Sequence, residues 1–248
     1  MKKVCFMILL LLECAVSVVF SAETRWTDWQ TANKGNPGTA HGIIGLSTQN
    51  VSVDYSGEIA FAQVSGGTNY WVPSAPYLSS VVLNPPATSD IIALAGGNST
   101  VNTIKFAQPI TNPVMAIASL GSAAAGIVAR YQFDANFDIL SQGAGYWGNG
   151  TLTKLSGNVL QGLEGHGVIQ FQGTFTSISW TAPVYENWHG FTIGLVDITS
   201  TCGDMVTFTA GTPAKAAEVN ANFDALNCQI QALKAIVCQD HPTASICQ

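Results

Sequence analysis

Two stretches of the sequence set imidazole and carboxylate beside glycine: Glu164-Gly165-His166-Gly167 and Glu186-Asn187-Trp188-His189-Gly190. Carboxylate and imidazole together can bind zinc or move protons, and two glutamates facing one cleft are the equipment of glycoside hydrolysis. The same residues have a plainer use, because Glu and His at a strand corner can hydrogen-bond the backbone amides left over there. The glutamates do not alternate along one strand, and no third ligand is spaced with either histidine, so the plainer use is the expected one. Gly162, Gly165 and Gly167 are expected to form a tight corner with positive φ.

A second group is aromatic. Tyr70, Trp71, Tyr146 and Trp147 fall in glycine-rich loops and are candidates for stacking on a sugar ring, since an exposed aromatic needs a reason to be there. Trp188 reads as a core or corner anchor. A polysaccharide ligand requires the four loop aromatics to converge near Glu164 or Glu186, whereas a purely structural protein would scatter them. Asp134, Asn136 and Asp138 offer oxygen atoms at alternate positions, but the run lacks the glycine and terminal glutamate of a calcium-binding EF-hand and reads as a turn. There is no nucleophile elbow, phosphate loop or dinucleotide fingerprint, so no catalytic residue, metal or cofactor is predicted.

These residues need a scaffold. From Trp26 to Asp197 the chain is dense in Gly, Ser, Thr and Asn, with apolar or alternating runs at Ile43–Leu46, Val51–Tyr55, Ile59–Val64, Asp90–Leu94, Val101–Phe106 and Val114–Leu120. The series continues through Ile127–Phe133, Val168–Phe171, Ser177–Trp180 and Phe191–Val196. Such spacing, with turn residues between runs, predicts an all-β, jelly-roll-like sandwich. Val51, Val53 and Tyr55 should share one face against Ser52 and Asp54, and Phe191, Ile193 and Leu195 one face against Thr192 and Gly194. Val114-Met115-Ala116-Ile117-Ala118 is apolar on both faces, which calls for a strand covered on both sides or packed under a long loop. Pro73, Pro76, Pro85, Pro86, Pro109, Pro113 and Pro183 are expected beside strands, not inside them.

The sequence has 248 residues, with 47% apolar and 10% charged side chains and a net charge of −6. That composition can bury a large core, and the absence of a basic run argues against nucleic acid as a partner. Residues 1–21 have the layout of a secretory signal: Lys2 and Lys3, an apolar run from Val4 to Phe20 broken by Glu13 and Cys14, and a cleavage triplet ending at Ser21 before Ala22. Glu13 makes a retained span costly, so the mature chain is expected outside the cytoplasm, secreted or at the cell surface, with no membrane segment. Cys202, Cys228, Cys238 and Cys247 remain; an even count in an exported chain suggests disulfides, and spacing favours Cys238 with Cys247 and Cys202 with Cys228.

Residues 22–198 are read as the sandwich, 199–213 as a linker and 214–248 as a C-terminal helix with a disulfide-closed tail. Thr212 is the expected N-cap, with Pro213 opening the helix. Ala216, Val219, Phe223, Leu226, Ile230, Leu233 and Val237 follow a heptad seam, flanked by Asn220, Asn222, Asn227 and Gln229. A stripe that narrow suits a short coiled coil, so self-association is expected.

With these residues in place, the sandwich resembles exported bacterial proteins of the kind that usually end in a PEP-CTERM sorting tail. The resemblance runs from Trp26-Thr27-Asp28-Trp29 through Asp90-Ile91-Ile92, Phe106, Pro109 to Ile117 and Ser119-Leu120-Gly121, and ends at the two histidine motifs. It implies a sandwich fold and a life outside the cytoplasm. The sorting tail itself is absent; the stretch from Phe208 to Phe223 instead resembles a short helical module of bacterial secreted and surface proteins. The expected function is that of a non-catalytic structural or adhesive protein, associated with extracellular matrix or biofilm and displayed on an oligomerising helix. The alternative is a protein that binds or cleaves extracellular polysaccharide through loops at one end of the sandwich.

Overall fold

The computed structural model of the chain describes residues 20–200, 205–209 and 211–240. The signal segment before residue 20, Cys202, Cys247 and the side chain of Cys238 lie outside the described residues. Residues Ala22–Thr199 form one compact unit, and the C-terminal helix belongs to a second.

The strands in chain order are β1 (Phe20–Trp26), β2 (Asp28–Asn33), β3 (Gly35–Gly45), β4 (Asn50–Ile59), β5 (Phe61–Gln63), β6 (Ile91–Leu94), β7 (Asn102–Thr111) and β8 (Val114–Leu120). They continue with β9 (Ala129–Phe133), β10 (Phe137–Gln142), β11 (Thr151–Leu155), β12 (Val159–Leu163), β13 (Gly165–Phe171), β14 (Thr174–Thr181) and β15 (His189–Ser200). One seven-stranded sheet runs β10-β13-β8-β15-β6-β5, with β1 also on β15; an eight-stranded sheet runs β11-β12-β9-β14-β7-β4-β3-β2. From β6 to β15 each connection crosses to the other sheet except the β11–β12 hairpin. The fold is thus the expected all-β sandwich, with a C-terminal helix.

Alternation is what closes the two sheets on each other. Val51, Val53 and Tyr55 are buried while Ser52, Asp54 and Ser56 face outward, as their spacing requires. Tyr55, Tyr131, Phe133 and Phe191 surround Trp180, at ring separations of 5.1–6.0 Å. Burying each large side chain contributes roughly 1.5–3 kcal/mol relative to exposing it.

The seven-stranded sheet is buried on its other face too. Ile91, Val114, Ala116, Ala118 and Val168 pack there against Trp71, Tyr77 and Val82, which come from the long connection between β5 and β6. That cover explains the run Val114 to Ala118, apolar on both faces. It also corrects the reading of β15, where Thr192 and Gly194 are as buried as Phe191 and Ile193. A Cβ on Gly194 would stand 2.8 Å from the indole of Trp26, so this position is glycine because β1 lies across it.

Pro109 departs from expectation by lying inside β7. The pairing with β14 jumps there from Lys105↔Ser177 to Ile110↔Phe175, and a proline inside that irregularity removes no ladder hydrogen bond. Strands β2, β10, β11 and β12 fall outside the expected runs; they lie at or toward the edges of their sheets and carry few consecutive apolar residues.

In the second unit the helix, α1, spans Ala216–Asp240, opening three residues after the Pro213 start that a Thr212 cap predicts. Thr212 does not cap it, because its hydroxyl donates to Thr209 O at 2.7 Å. Lys215 takes the cap position instead, its amide donating to Glu218 Oε2 at 3.4 Å, half of a capping box. The Asn222 side-chain amide brackets the backbone of Val206, accepting from its N–H at 2.6 Å and donating to its carbonyl at 2.8 Å. Ala225 and Cys228 are buried, and Cys228 is disulfide-bonded; the seam residues Phe223, Leu226 and Ile230 are exposed by 66, 44 and 53%.

Candidate functional site

The two histidine motifs enter β13 and β15, which are not neighbours but flank β8 on either side. Gly165 pairs with Leu120 and Gly190 with Ala118, so both motifs arrive at the end of β8, around residues 119–123. Two strand starts and one strand end meet here, and that leaves backbone amides without ladder partners.

The glutamates take up those amides. Glu186 Oε1 accepts from the Gly121 N–H at 2.8 Å and from Nδ1 of His189 at 2.7 Å. Glu164 Oε1 accepts from the Ser119 hydroxyl at 2.5 Å, and its Oε2 from the Ala123 N–H at 3.4 Å. Glu164 and Ser119 both sit in the left-handed region, with φ of 56° and 60°. Such a conformation costs a non-glycine residue about 1–3 kcal/mol, which the hydrogen bond between them offsets in part.

Positive φ therefore falls on Glu164 and not, as expected, on Gly162, Gly165 and Gly167. These three are glycines for want of space: an added Cβ would meet Leu120 O at 2.3 Å, Leu152 Cδ2 at 2.3 Å and Ser141 O at 2.2 Å.

The histidines face opposite sides of the sheet. His189 packs its ring 5.1 Å from that of Tyr131, in the core between the sheets. His166 lies under the long connection, where Nδ1 accepts from the Tyr77 hydroxyl and the Ser119 N–H, both at 3.2 Å. Two donors on Nδ1 put the ring proton on Nε2, which points toward Glu164 Oε1 at 3.8 Å. Separated by the sheet, the two imidazoles cannot ligate one ion, and the described residues contain no cluster of three metal-binding side chains. The alternate oxygens of 134–138 do not converge either: Asp134 Oδ1 accepts from the Ser179 N–H, while Asn136 and Asp138 both hold Lys154 Nζ.

Burial pushes the His166 imidazole down to about 4, and burial likewise holds the Tyr77 hydroxyl above its usual range. Between the ordinary histidine value of about 6.5 and that lowered value, the unfolded chain binds a proton that the folded chain refuses, so stability rises with pH across this window. The melting midpoint of the full chain should accordingly fall by several degrees on acidification from pH 6.5 toward 4, and less so in a His166→Asn variant. An equal slope in both proteins would show that His166 is not the group responsible.

His166 also supports the loop after β10. Gly143 N–H donates to the His166 carbonyl at 3.2 Å, and an added Cβ at Gly145 would lie 2.2 Å from the imidazole. The loop turns on a bond from Gly145 N–H to Gly148 O at 2.8 Å, which presents Tyr146 and Trp147 at its tip, 42 and 55% exposed.

Those two rings join a chain of aromatic contacts. Tyr146 stands 5.1 Å from Trp147 and 5.1 Å from Tyr70, Tyr70 is 4.8 Å from Trp188, and Trp188 is 6.4 Å from Trp147. Trp147 and Trp188 line a cavity of about 240 Å³ together with Ser119, Glu164, Glu186 and Asn187. Of the four loop aromatics, Trp147 therefore reaches the glutamate corner, and Tyr146 and Tyr70 join it there only through ring contacts with Trp147 and Trp188. Trp71 does not: it is fully buried, its indole N–H donating to the Asp90 carbonyl at 3.1 Å, so it roofs the sheet and is unavailable for stacking. Its place is taken by Trp188, expected as a core or corner anchor and found half-buried at the corner, two residues from Glu186.

A second recess, of about 380 Å³, lies on the outer face of the eight-stranded sheet beside His41, Asp54 and Lys105. Its one aromatic residue, Tyr55, is buried. No family model, curated protein sequence or solved structure matches this chain.

Proposed function

We propose that the protein is an exported, non-catalytic adhesive β-sandwich that binds a polysaccharide in the pocket between Trp147 and Trp188, and that its C-terminal helix joins copies of the chain. The observation that carries this reading is the convergence of those indoles on the same cavity as Glu164, Glu186 and Asn187. A pyranose ring has an apolar face suited to an indole and hydroxyls suited to carboxylate and amide acceptors, and a few placed polar groups in an aromatic cleft are the usual form of such a site. Binding is favoured over cleavage because Glu186 Oε1 and both oxygens of Glu164 already hold the corner.

Export is supported by the layout of residues 1–21 and by the resemblance to exported bacterial proteins. Self-association is supported by Phe223, Leu226 and Ile230, which keep heptad spacing and stand exposed in the single chain. Joining weak sugar sites would raise avidity for a repeating polymer without any new contact.

The test is retention of the full chain on a panel of insoluble polysaccharides, with reducing-end release measured alongside and molar mass taken by light scattering. Retention without release, by a protein of at least twice the chain mass, is expected. Reducing ends appearing in step with protein concentration would make it a hydrolase, and retention on none of the panel would remove the polysaccharide.

A further inference from the structure

We propose that the sugar this pocket selects carries a free ammonium group, as in a polysaccharide with unacetylated 2-amino sugars. The inference rests on the polysaccharide reading above and deepens it. Two carboxylates line the cavity, no Lys, Arg or His does, and two indoles stand at its walls. A carboxylate pair beside aromatic faces favours a cation, because the ring quadrupole and the anionic oxygens attract the same charge. An anionic sugar such as a uronate would meet both glutamates with nothing to neutralise it.

Glu186 carries the argument further. Its side chain is 2% exposed, and its Oε1 is committed to Gly121 and His189. Oε2 takes part in none of the hydrogen bonds formed among the described residues, although the side chain lines the cavity. A carboxylate oxygen that opens on the cavity from an otherwise buried side chain is best matched by a donor that brings positive charge, and an ammonium group supplies three N–H donors. The net charge of −6 adds attraction at longer range that salt will screen.

The experiment is calorimetric titration of the full chain with glucosamine oligomers and N-acetylglucosamine oligomers of equal length, at low and at high salt, with an oligolysine as a third ligand. At least tenfold tighter binding of the amine oligomer is expected, with the gap narrowing at high salt. A Glu164→Gln variant, which keeps an oxygen acceptor for Ser119, should narrow it as well. Salt dependence in the unaltered protein gives the same reading if that variant folds poorly. Equal or tighter binding of the N-acetylated oligomer would overturn the ammonium inference and leave polysaccharide binding standing. Binding of neither sugar would overturn the ammonium inference and leave polysaccharide binding to be decided by retention on the panel, and oligolysine binding as tightly as the amine sugar would replace the saccharide by a cationic peptide.

Discussion

Replacing Trp147 with alanine should weaken polysaccharide binding about 30-fold, equivalent to about 2 kcal/mol, the loss typical of an aromatic anchor at the centre of a binding surface. The effect on folding should be small. Trp147 is 55% exposed, and its described ring contacts are with Tyr146 and Trp188, at the tip of a loop whose own shape is set by the bond from Gly145 to Gly148. Retention on polysaccharide and the thermal midpoint, measured on the same preparation, check both halves of the expectation. A Trp147→Phe variant should recover part of the affinity, because a ring face returns without the indole's area. Undiminished retention in the alanine variant would place the binding surface elsewhere on the sandwich.

The second large effect concerns the corner itself. Glu186→Ala removes the acceptor shared by the Gly121 amide and His189, both inside the fold, and leaves two polar groups without a partner. Breaking a buried charged contact from one side costs about 3–5 kcal/mol. For a unit of this size that corresponds to a fall of roughly 6–20 °C in the melting midpoint. Glu186→Gln keeps one oxygen acceptor and should cost less. If the alanine variant melted with the unaltered protein, the glutamate would not be holding the end of β8, and a role reserved for ligand would become the better account.

Much of this architecture could be read from residue order because alternation is a local signal. Val51 to Tyr55 declares its buried face in five residues, and Val114 to Leu120 declares burial on both faces without naming what covers them. The cover is Trp71, Tyr77 and Val82, in a connection whose glycines and prolines carry no period, so its packing could not be inferred. Trp71 was misplaced for the same reason: an aromatic in a glycine-rich stretch looks exposed until the loop is known to lie back on the sheet.

The corner shows the same division. Glu164, His166, Glu186 and His189 stood out by type and by neighbouring glycine, and the hydrogen-bonding use expected of them is the one observed. What spacing could not give was the strand between them. That β8 separates β13 from β15 is a matter of sheet order, and sheet order decides that the glutamates meet at residues 119–123 while the histidines part to opposite faces. The glycines were recognised as special for the wrong reason, since close approach of backbone and side chain leaves the same residue type as a positive φ. On the helix, the heptad seam was plain, whereas Thr212 bonds back to Thr209 and the cap falls three residues later, at Lys215.

On the proposed reading, the two glutamate–histidine motifs build a corner that presents Trp147 and Trp188 to a sugar. The chain has six tryptophans, and each indole N–H gives its own resonance, so a ¹⁵N-labelled sample titrated with a bound oligosaccharide reports every candidate surface at once. The expected result is movement of the Trp147 and Trp188 indole signals, with those of the buried Trp29, Trp71 and Trp180 unchanged. Saturable binding that leaves both Trp147 and Trp188 unmoved, and instead shifts backbone signals around His41, Asp54 and Lys105, would rule out the corner and move the site to the outer face of the eight-stranded sheet.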